Sequence, residues 1–365
     1  MANRSTLRIA LNTGGGDAPG LNAVIRAVTL SALNLGWEVY GIQRGYGGLL
    51  GEGAVIPLTR ESVRGITHLG GTILGTTNRG NPFAWPRESR TGEIEHVDRS
   101  REIVERFRDY GFDALVAIGG DGSLRIANEL AQLGVPIVGV PKTIDNDIAH
   151  TSLTFGFLTA METATDAIDK LHSTAESHDR VMVVEVMGRH AGWIALFAGV
   201  AGSADVILIP EIPYRIEKVC QKIHERELAG RHFSIVVAAE GARPVGGEPV
   251  VREAAGPGHS IRYGGIGYQI ADEITERTEK ETRALTLGHL QRGGSPNAYD
   301  RLIALRFGAA AIQFVQHGKF GTMVAIDPPH VKAVPLSEVA KSRKLVPVDG
   351  DVVFTARALG TSFGD

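Results

Sequence analysis

The feature that most constrains this chain is a recurring unit. A short, largely uncharged, β-branched run is followed by a glycine turn and then by a longer amphipathic segment. Arg8 to Asn12, Glu38 to Ile42, Ala114 to Ile118 and Val135 to Val140 are such runs in the first half, and Val181 to Val186, Val206 to Ile209 and Ser234 to Ala239 continue the series. Runs of this kind read as strands covered on both faces, because a strand with one wet face would alternate with polar residues. Helices are expected from near Leu21 or Asn22, over Thr159 to Leu171, and from near Gly264. Alternating strands and helices require parallel sheets joined by right-handed crossovers, which predicts an α/β protein. With 365 residues the chain is long enough for two domains, or for one large α/β domain with an insertion. Gly241 to Tyr263, rich in Gly, Pro and charge, reads as a surface excursion.

Ligands of such sheets sit at the carboxyl ends of the strands, so the turns there carry the functional argument. Gly14-Gly15-Gly16-Asp17-Ala18-Pro19-Gly20 lets backbone N–H groups approach an anion at a helix start, or else forms a plain tight turn. It has neither P-loop nor dinucleotide spacing. Gly119-Gly120-Asp121-Gly122-Ser123 adds a carboxylate to a second glycine turn. Asp121 can hold a magnesium ion beside phosphates cradled by the Gly122 and Ser123 amides, or can cap the following helix. Pro141-Lys142-Thr143-Ile144-Asp145-Asn146-Asp147 sets two carboxylates at a third strand end, where one suits a general base for a hydroxyl and the other can help place the metal. The alternative is a solvated Asx-rich turn. Arg180, Arg189, His289 and Arg292, with Arg283 nearby, lie beside predicted strand ends and suit phosphate recognition, and Glu240 closes an apolar strand where it could accept sugar hydroxyls.

Charge and composition remove other classes. The net charge is -3 and no Lys/Arg run dominates a segment, so no nucleic-acid partner is expected. A single cysteine, Cys220, leaves no internal disulfide and suits a reducing compartment. The start, MANRSTLRIALNT, lacks the apolar core of a signal peptide, and no apolar run reaches membrane-spanning length. A cytoplasmic protein without a membrane partner is expected.

The motifs Gly-Gly-Asp-Ala-Pro-Gly-Leu-Asn, Gly-Gly-Asp-Gly-Ser, Pro-Lys-Thr-Ile-Asp-Asn-Asp, Val-Glu-Val-Met-Gly-Arg and Gly-His-Leu-Gln-Arg-Gly-Gly-Ser-Pro occur in this order between about Arg8 and about Gly321. In that order they resemble the 6-phosphofructokinases, and the last forty or so residues carry no such signal. The resemblance implies two similar three-layer α/β domains with mainly parallel sheets and the site in the cleft between them. It assigns residues 1–157, with roughly 290–340 returning, to the phosphoryl donor, and residues 158–289, with 341–365, to the sugar phosphate. It implies transfer of a phosphoryl group from ATP to the C1 hydroxyl of fructose 6-phosphate with Mg2+. A pyrophosphate-dependent enzyme is the nearest alternative and a catalytically dead sugar-phosphate sensor the remote one.

By resemblance, Asp145 is the catalytic base, flanked by Thr143 and Asp147, with Arg189 and Asp147 as further catalytic residues and Thr143 and Ile144 in the substrate site. Asp121 is the metal ligand. Gly15, Gly16, Asn78, Arg79, Gly122, Ser123 and Lys142 contact the donor. Met187, Gly188, Arg189 and Glu240 hold the fructose. Arg180, Arg283, His289 and Arg292, with Leu290 and Gln291 in the same run, belong to the 6-phosphate site. Arg180 and Arg283 match arginines that reach in from a neighbouring subunit, which implies a homodimer or homotetramer with shared active sites. Asn78 stands where many ATP-using relatives have an arginine, with Arg79 next to it. Leu30 and His172 stand where allosteric bacterial relatives have arginines, although Arg26 and Arg60 remain, so nucleotide and phosphoenolpyruvate control is not expected. Lys142 replaces a glycine common in strictly ATP-dependent relatives, whereas Gly122 leaves room that pyrophosphate enzymes commonly fill with an aspartate.

Overall fold

A computed structural model describes residues 6–89, 92–253 and 262–365. Among them, two larger sheets organise the molecule. The first has seven strands in the order His330–Pro335, Thr322–Asp327, Ile137–Pro141, Ala114–Gly119, Arg8–Gly14, Glu38–Ile42 and Val55–Pro57. Its five inner strands run parallel, and the two edge strands are antiparallel to their neighbours. The second has four parallel strands in the order Thr282–Thr286, Val181–Val186, Ser234–Ala239 and Val206–Leu208.

Both sheets bury both faces, which is why their strands read as near-continuous apolar runs. Along Arg8–Gly14, Ile9 and Leu11 join one cluster with the helices Leu21–Asn34 and Ala298–Gln316, and Ala10 joins another with Ser100–Asp109 and Asp121–Gln132. Along Val181–Val186, Val181 and Val183 face Ile266–Thr278, whereas Val184 and Val186 face Phe157–Ser177 and Trp193–Ala201. Each sheet is therefore the middle of three layers, as expected of an α/β protein.

The expected strands form, three with the expected bounds and the others with ends shifted by one or two residues. The expected helix over Thr159 to Leu171 is longer, Phe157–Ser177, and that expected from near Gly264 is Ile266–Thr278. Gly241 to Tyr263 contains a small antiparallel pair, Val251–Glu253 with Arg262–Tyr263; its residues 254–261 lie outside those described.

Register is what builds a site from this. Gly14 pairs with Gly119, and Gly119 with Pro141. The three turns singled out in the sequence thus leave the first sheet from one row. In the second sheet Glu185 pairs with both Ala238 and Thr286, so Met187 to Arg189, Glu240 and Leu287 also leave side by side.

Candidate active site

The two rows of strand ends bound a cleft with two adjoining cavities, of about 400 and 380 Å³, sizes within the range of small-molecule sites. The first is a groove over the first sheet, lined by Gly14 to Gly16, Asn78, Gly120 to Ser123, Lys142, Thr143, Asp145 and Asp147. The second lies between the sheets, lined by Met187, Glu240, Glu185, Arg252, Tyr263 and His289 among others. Gly15, Gly16, Asn78, Arg189 and Arg292 line both.

The groove depends on close backbone approach. A Cβ on Gly119 would fall 2.2 Å from Ser123 Cβ, so the strand end and the first helical turn can meet only at glycine. A Cβ on Gly16 would fall 2.8 Å from Arg292 Nη1, which donates to the Asp17 carbonyl at 2.9 Å. The helix Asp121–Gln132 begins at the acidic residue itself, leaving the amides of its first turn without helical partners and turned toward the groove. Gly122 is the opposite case: a Cβ there meets nothing within 4 Å.

Three carboxylates gather beside these amides. Asp145 is only 4% exposed, and its Oδ1 is buried without a hydrogen-bond partner. Asp147 is also buried; burial first, then the charges of Asp145 and Asp121, raise its pKa to about 7. Asp121 Oδ2 lies 3.0 Å from an Arg125 nitrogen and 3.4 Å from Arg343 Nη2. Lys142 is buried and its Nζ donates to the Gly16 carbonyl; burial, then Arg292, lower its pKa to about 7. Across the junction, Arg189 holds a left-handed φ of 53° and its N–H donates to Glu240 Oε1 at 3.0 Å, while Asn146 beside Asp145 has φ 51°. Left-handed backbone at non-glycine residues costs about 1–3 kcal/mol each and collects at functional sites. Glu240 is raised to about 7, by burial and then by Asp145.

Several expected residues are placed elsewhere. Ile144 is fully buried in the core of the second sheet and lines neither cavity. Gly188 is a turn former, with φ 146° and the Ala191 carbonyl 2.5 Å from where a Cβ would be. Leu290 is 70% exposed and Gln291 is buried; neither lines a cavity, because the short 3₁₀ turn Gly288–Arg292 aims only His289 and Arg292 inward. Arg79 lines a separate cavity with Arg44 and Trp85, because the Thr76 hydroxyl and the Thr77 carbonyl tie this loop to Gly15 and leave Asn78 facing the groove. Arg180 and Arg283 pair with Glu281 at 2.9 and 2.6 Å at the amino-terminal end of the second sheet, roughly 17 Å and roughly 10 Å along their strands from the lining residues Glu185 and Thr286. His172 contacts the Gly202 carbonyl at 2.7 Å, Arg26 donates to the Val63 carbonyl at 2.8 Å and Arg60 to Asn34.

Some residues in and around the cavities have no role assigned from the sequence, although Glu185 lies within the Val-Glu-Val-Met-Gly-Arg motif. Arg252 and Tyr263 reach the second cavity from the excursion that reads as plain surface. Glu185 stands within a buried strand and accepts from the Gly265 and Gly267 amides, capping Ile266–Thr278. Lys344, from the undiagnostic tail, donates from Nζ to Asn146 Oδ1, Thr151 O and Ser152 O, each at 2.9 Å, and its backbone N–H donates to the Asp147 carbonyl at 2.8 Å.

A profile of the family described as Phosphofructokinase matches residues 8–315. The chain is 54% identical over 359 residues to an ATP-dependent 6-phosphofructokinase of Chloroflexus aggregans, covering 98% of each chain. It is 50% identical over 344 residues to the pyrophosphate–fructose 6-phosphate 1-phosphotransferase of Amycolatopsis methanolica, covering 93% of this chain and 96% of that one. Its fold matches Pichia pastoris phosphofructokinase in the T-state with a TM-score of 0.78 and 30% identity, over 99% of this chain but only 37% of the yeast chain. It also matches a pyrophosphate-dependent phosphofructokinase of Nitrosospira multiformis with a TM-score of 0.80 at 22% identity, over 98% and 92%. The protein belongs to the phosphofructokinase family and is a phosphotransferase. No helix among the described residues is long and apolar enough to cross a membrane.

Proposed function

We propose that this protein transfers a phosphoryl group from ATP to the C1 hydroxyl of fructose 6-phosphate, with Mg2+. The observation that carries this is the position of Asp145: a buried carboxylate with an unpartnered oxygen in the groove, next to the arginines that the groove shares with the second cavity. A hydroxyl presented from the second cavity supplies the missing hydrogen-bond partner, and Asp145 takes its proton as it attacks. Arg189 and Arg292 border both ligands and offset charge on the transferring group. His289 and Arg292 receive the sugar's phosphate and Glu240 its hydroxyls.

The residues fit a magnesium ion. Asp121 faces the groove beside Asp145 and Asp147, and Mg2+ is commonly held by one or two carboxylates, waters and substrate phosphates rather than a full protein cage. Among the described residues no cluster of three or more His, Cys, Asp or Glu forms such a cage. Held by Asp121, the ion would offset the negative charge of the donor's phosphates.

The open space at Gly122 supports ATP, since an α-phosphate and its nucleoside need room that a pyrophosphate does not. Pyrophosphate is the second reading, favoured by Lys142 and by the Amycolatopsis relative. Lys142, however, is spent on the Gly16 carbonyl and its ammonium is weakened by burial, so it serves the groove as a hydrogen-bond donor more than as a free cation. A side-by-side assay of fructose 1,6-bisphosphate formation with ATP and with pyrophosphate tests the assignment. Turnover with pyrophosphate alone would overturn ATP, and none with either donor would leave a sugar-phosphate sensor.

Two further assignments accompany this reading. Residues 1–157 with 290–340 form the donor half, and 158–289 with 341–365 the sugar half. The first sheet's outer strands Thr322–Asp327 and His330–Pro335 and the bridge from Ser362 to Val206 support that division. Arg180 and Arg283 serve the sugar phosphate of a neighbouring copy in a homodimer or homotetramer.

A further inference from the structure

The positive groups around the groove differ in what holds them. Lys142 Nζ is bound to the Gly16 carbonyl and Arg292 Nη1 to the Asp17 carbonyl, both parts of the scaffold. Arg125 reaches Asp121 from one turn along the same helix, at 3.0 Å. Arg343 arrives from a different part of the chain. Its backbone is fixed, bridged to Ile148 and followed by the Lys344 N–H bond to the Asp147 carbonyl. Its side chain is 37% exposed, and it makes a long polar contact of 3.4 Å to Asp121 Oδ2, the oxygen that Arg125 also contacts. From there its charge acts on Asp147 and on His190.

A carboxylate oxygen that ligates a divalent cation has little capacity left for two guanidinium groups, and the cation repels both. A polyphosphate carrying one divalent cation keeps net negative charge and offers several oxygens to a planar guanidinium. We propose that Arg343 is a donor-binding residue: in the ligand-free chain its guanidinium rests on Asp121, and when a divalent cation takes that carboxylate it moves to the phosphates of the donor. The inference rests on assigning the groove to a polyphosphate donor. It places in the C-terminal segment a cation beside the groove, on whose floor Asn78 presents only a neutral side chain.

The experiment compares the full-length protein with Arg343→Gln and Arg343→Lys. Gln keeps length and hydrogen bonding without charge, and Lys keeps the charge without the planar fork. Two quantities are read without turnover: the affinity for Mg·ATP by calorimetry, and the affinity of the ligand-free protein for Mn2+ alone by electron paramagnetic resonance. Arg343→Gln is expected to weaken Mg·ATP binding by about 10- to 100-fold, to tighten Mn2+ binding by severalfold because a competitor for Asp121 is gone, and to raise the KM for the donor while leaving that for fructose 6-phosphate unchanged. Arg343→Lys should recover part of the Mg·ATP affinity. A variant that folds as the parent does, with unchanged affinities for both Mg·ATP and Mn2+, overturns the proposal. So does a fall in both affinities together, which marks a purely structural residue. If the parent protein binds neither Mg·ATP nor Mg·pyrophosphate, the assignment of the groove fails, and Arg343 as a donor ligand fails with it.

Discussion

The groove over the first sheet takes its amides, carboxylates and lysine from three strand ends set in one register row, with the Asn78 loop tied across Gly15. The cavity beside it is assembled otherwise. It collects Met187 and Glu240 from strand ends, His289 and Arg292 from a 3₁₀ turn, and Arg252 and Tyr263 from an excursion, while Arg180 and Arg283 stay at the far end of the same sheet. On our reading, turns at three neighbouring strand ends thus supply most of the donor side, with Arg343 added from the C-terminal segment, whereas the sugar side depends on more scattered segments and on a second copy of the chain.

Asp145 sits where the two sides meet, so its loss tests both at once. Asp145→Asn should lower turnover by about 10²–10⁴ with sugar-phosphate affinity near normal; steady-state kinetics showing near-parental kcat would remove Asp145 from the role of base. Gly122→Asp confines the damage to the groove. It should reduce kcat/KM for ATP by about 100-fold, because a carboxylate then occupies the open space at that turn and repels an α-phosphate, while fructose 6-phosphate binding persists. An equal loss of sugar binding would show that the two cavities are not separable. Arg180→Ala and Arg283→Ala probe the other side and should raise the KM for fructose 6-phosphate by about 10- to 100-fold. Mixed oligomers of either variant with Asp145→Asn chains should regain activity; confirmed hybrids without recovery would place the whole site in one chain. The smallest effect concerns stability. Glu240 binds its proton more tightly folded than unfolded, so what it contributes is present below about 4.5 and is lost as the pH rises to about 7. The Tm of Glu240→Gln relative to the parent should therefore increase between pH 5 and pH 8, and a constant difference by calorimetry would refute the perturbed titration.

The sequence shows the donor side better because each of its turns is contiguous and follows a strand whose apolar run is unmistakable. Strand Thr282–Thr286 is harder to read, as its second residue is charged: Arg283, expected near a loop, lies within the strand. Arg79 and Asn78 differ by one position, and only the hydrogen bonds of Thr76 and Thr77 settle which faces the groove. Ile144 lies inside a functional motif yet is core, since alternate residues of that loop turn toward the second sheet. Arg252 and Lys344 could not be found from local pattern at all, and Glu185, although inside the Val-Glu-Val-Met-Gly-Arg motif, takes its role from the Gly265 and Gly267 amides far along the chain.

The clamp on the Asp145 loop also fixes an order of events during synthesis. Asn146 is made 198 residues before the Lys344 that holds its Oδ1. Domains generally fold as units while the chain emerges, and the first sheet itself waits for Thr322–Asp327 to fill its outer positions. A ribosome-bound chain that has not yet released Lys344 therefore carries both glycine turns and all three carboxylates with the Asp145 loop unfastened. The Asp145 loop thus gains its clamp only after every strand of both larger sheets has been made.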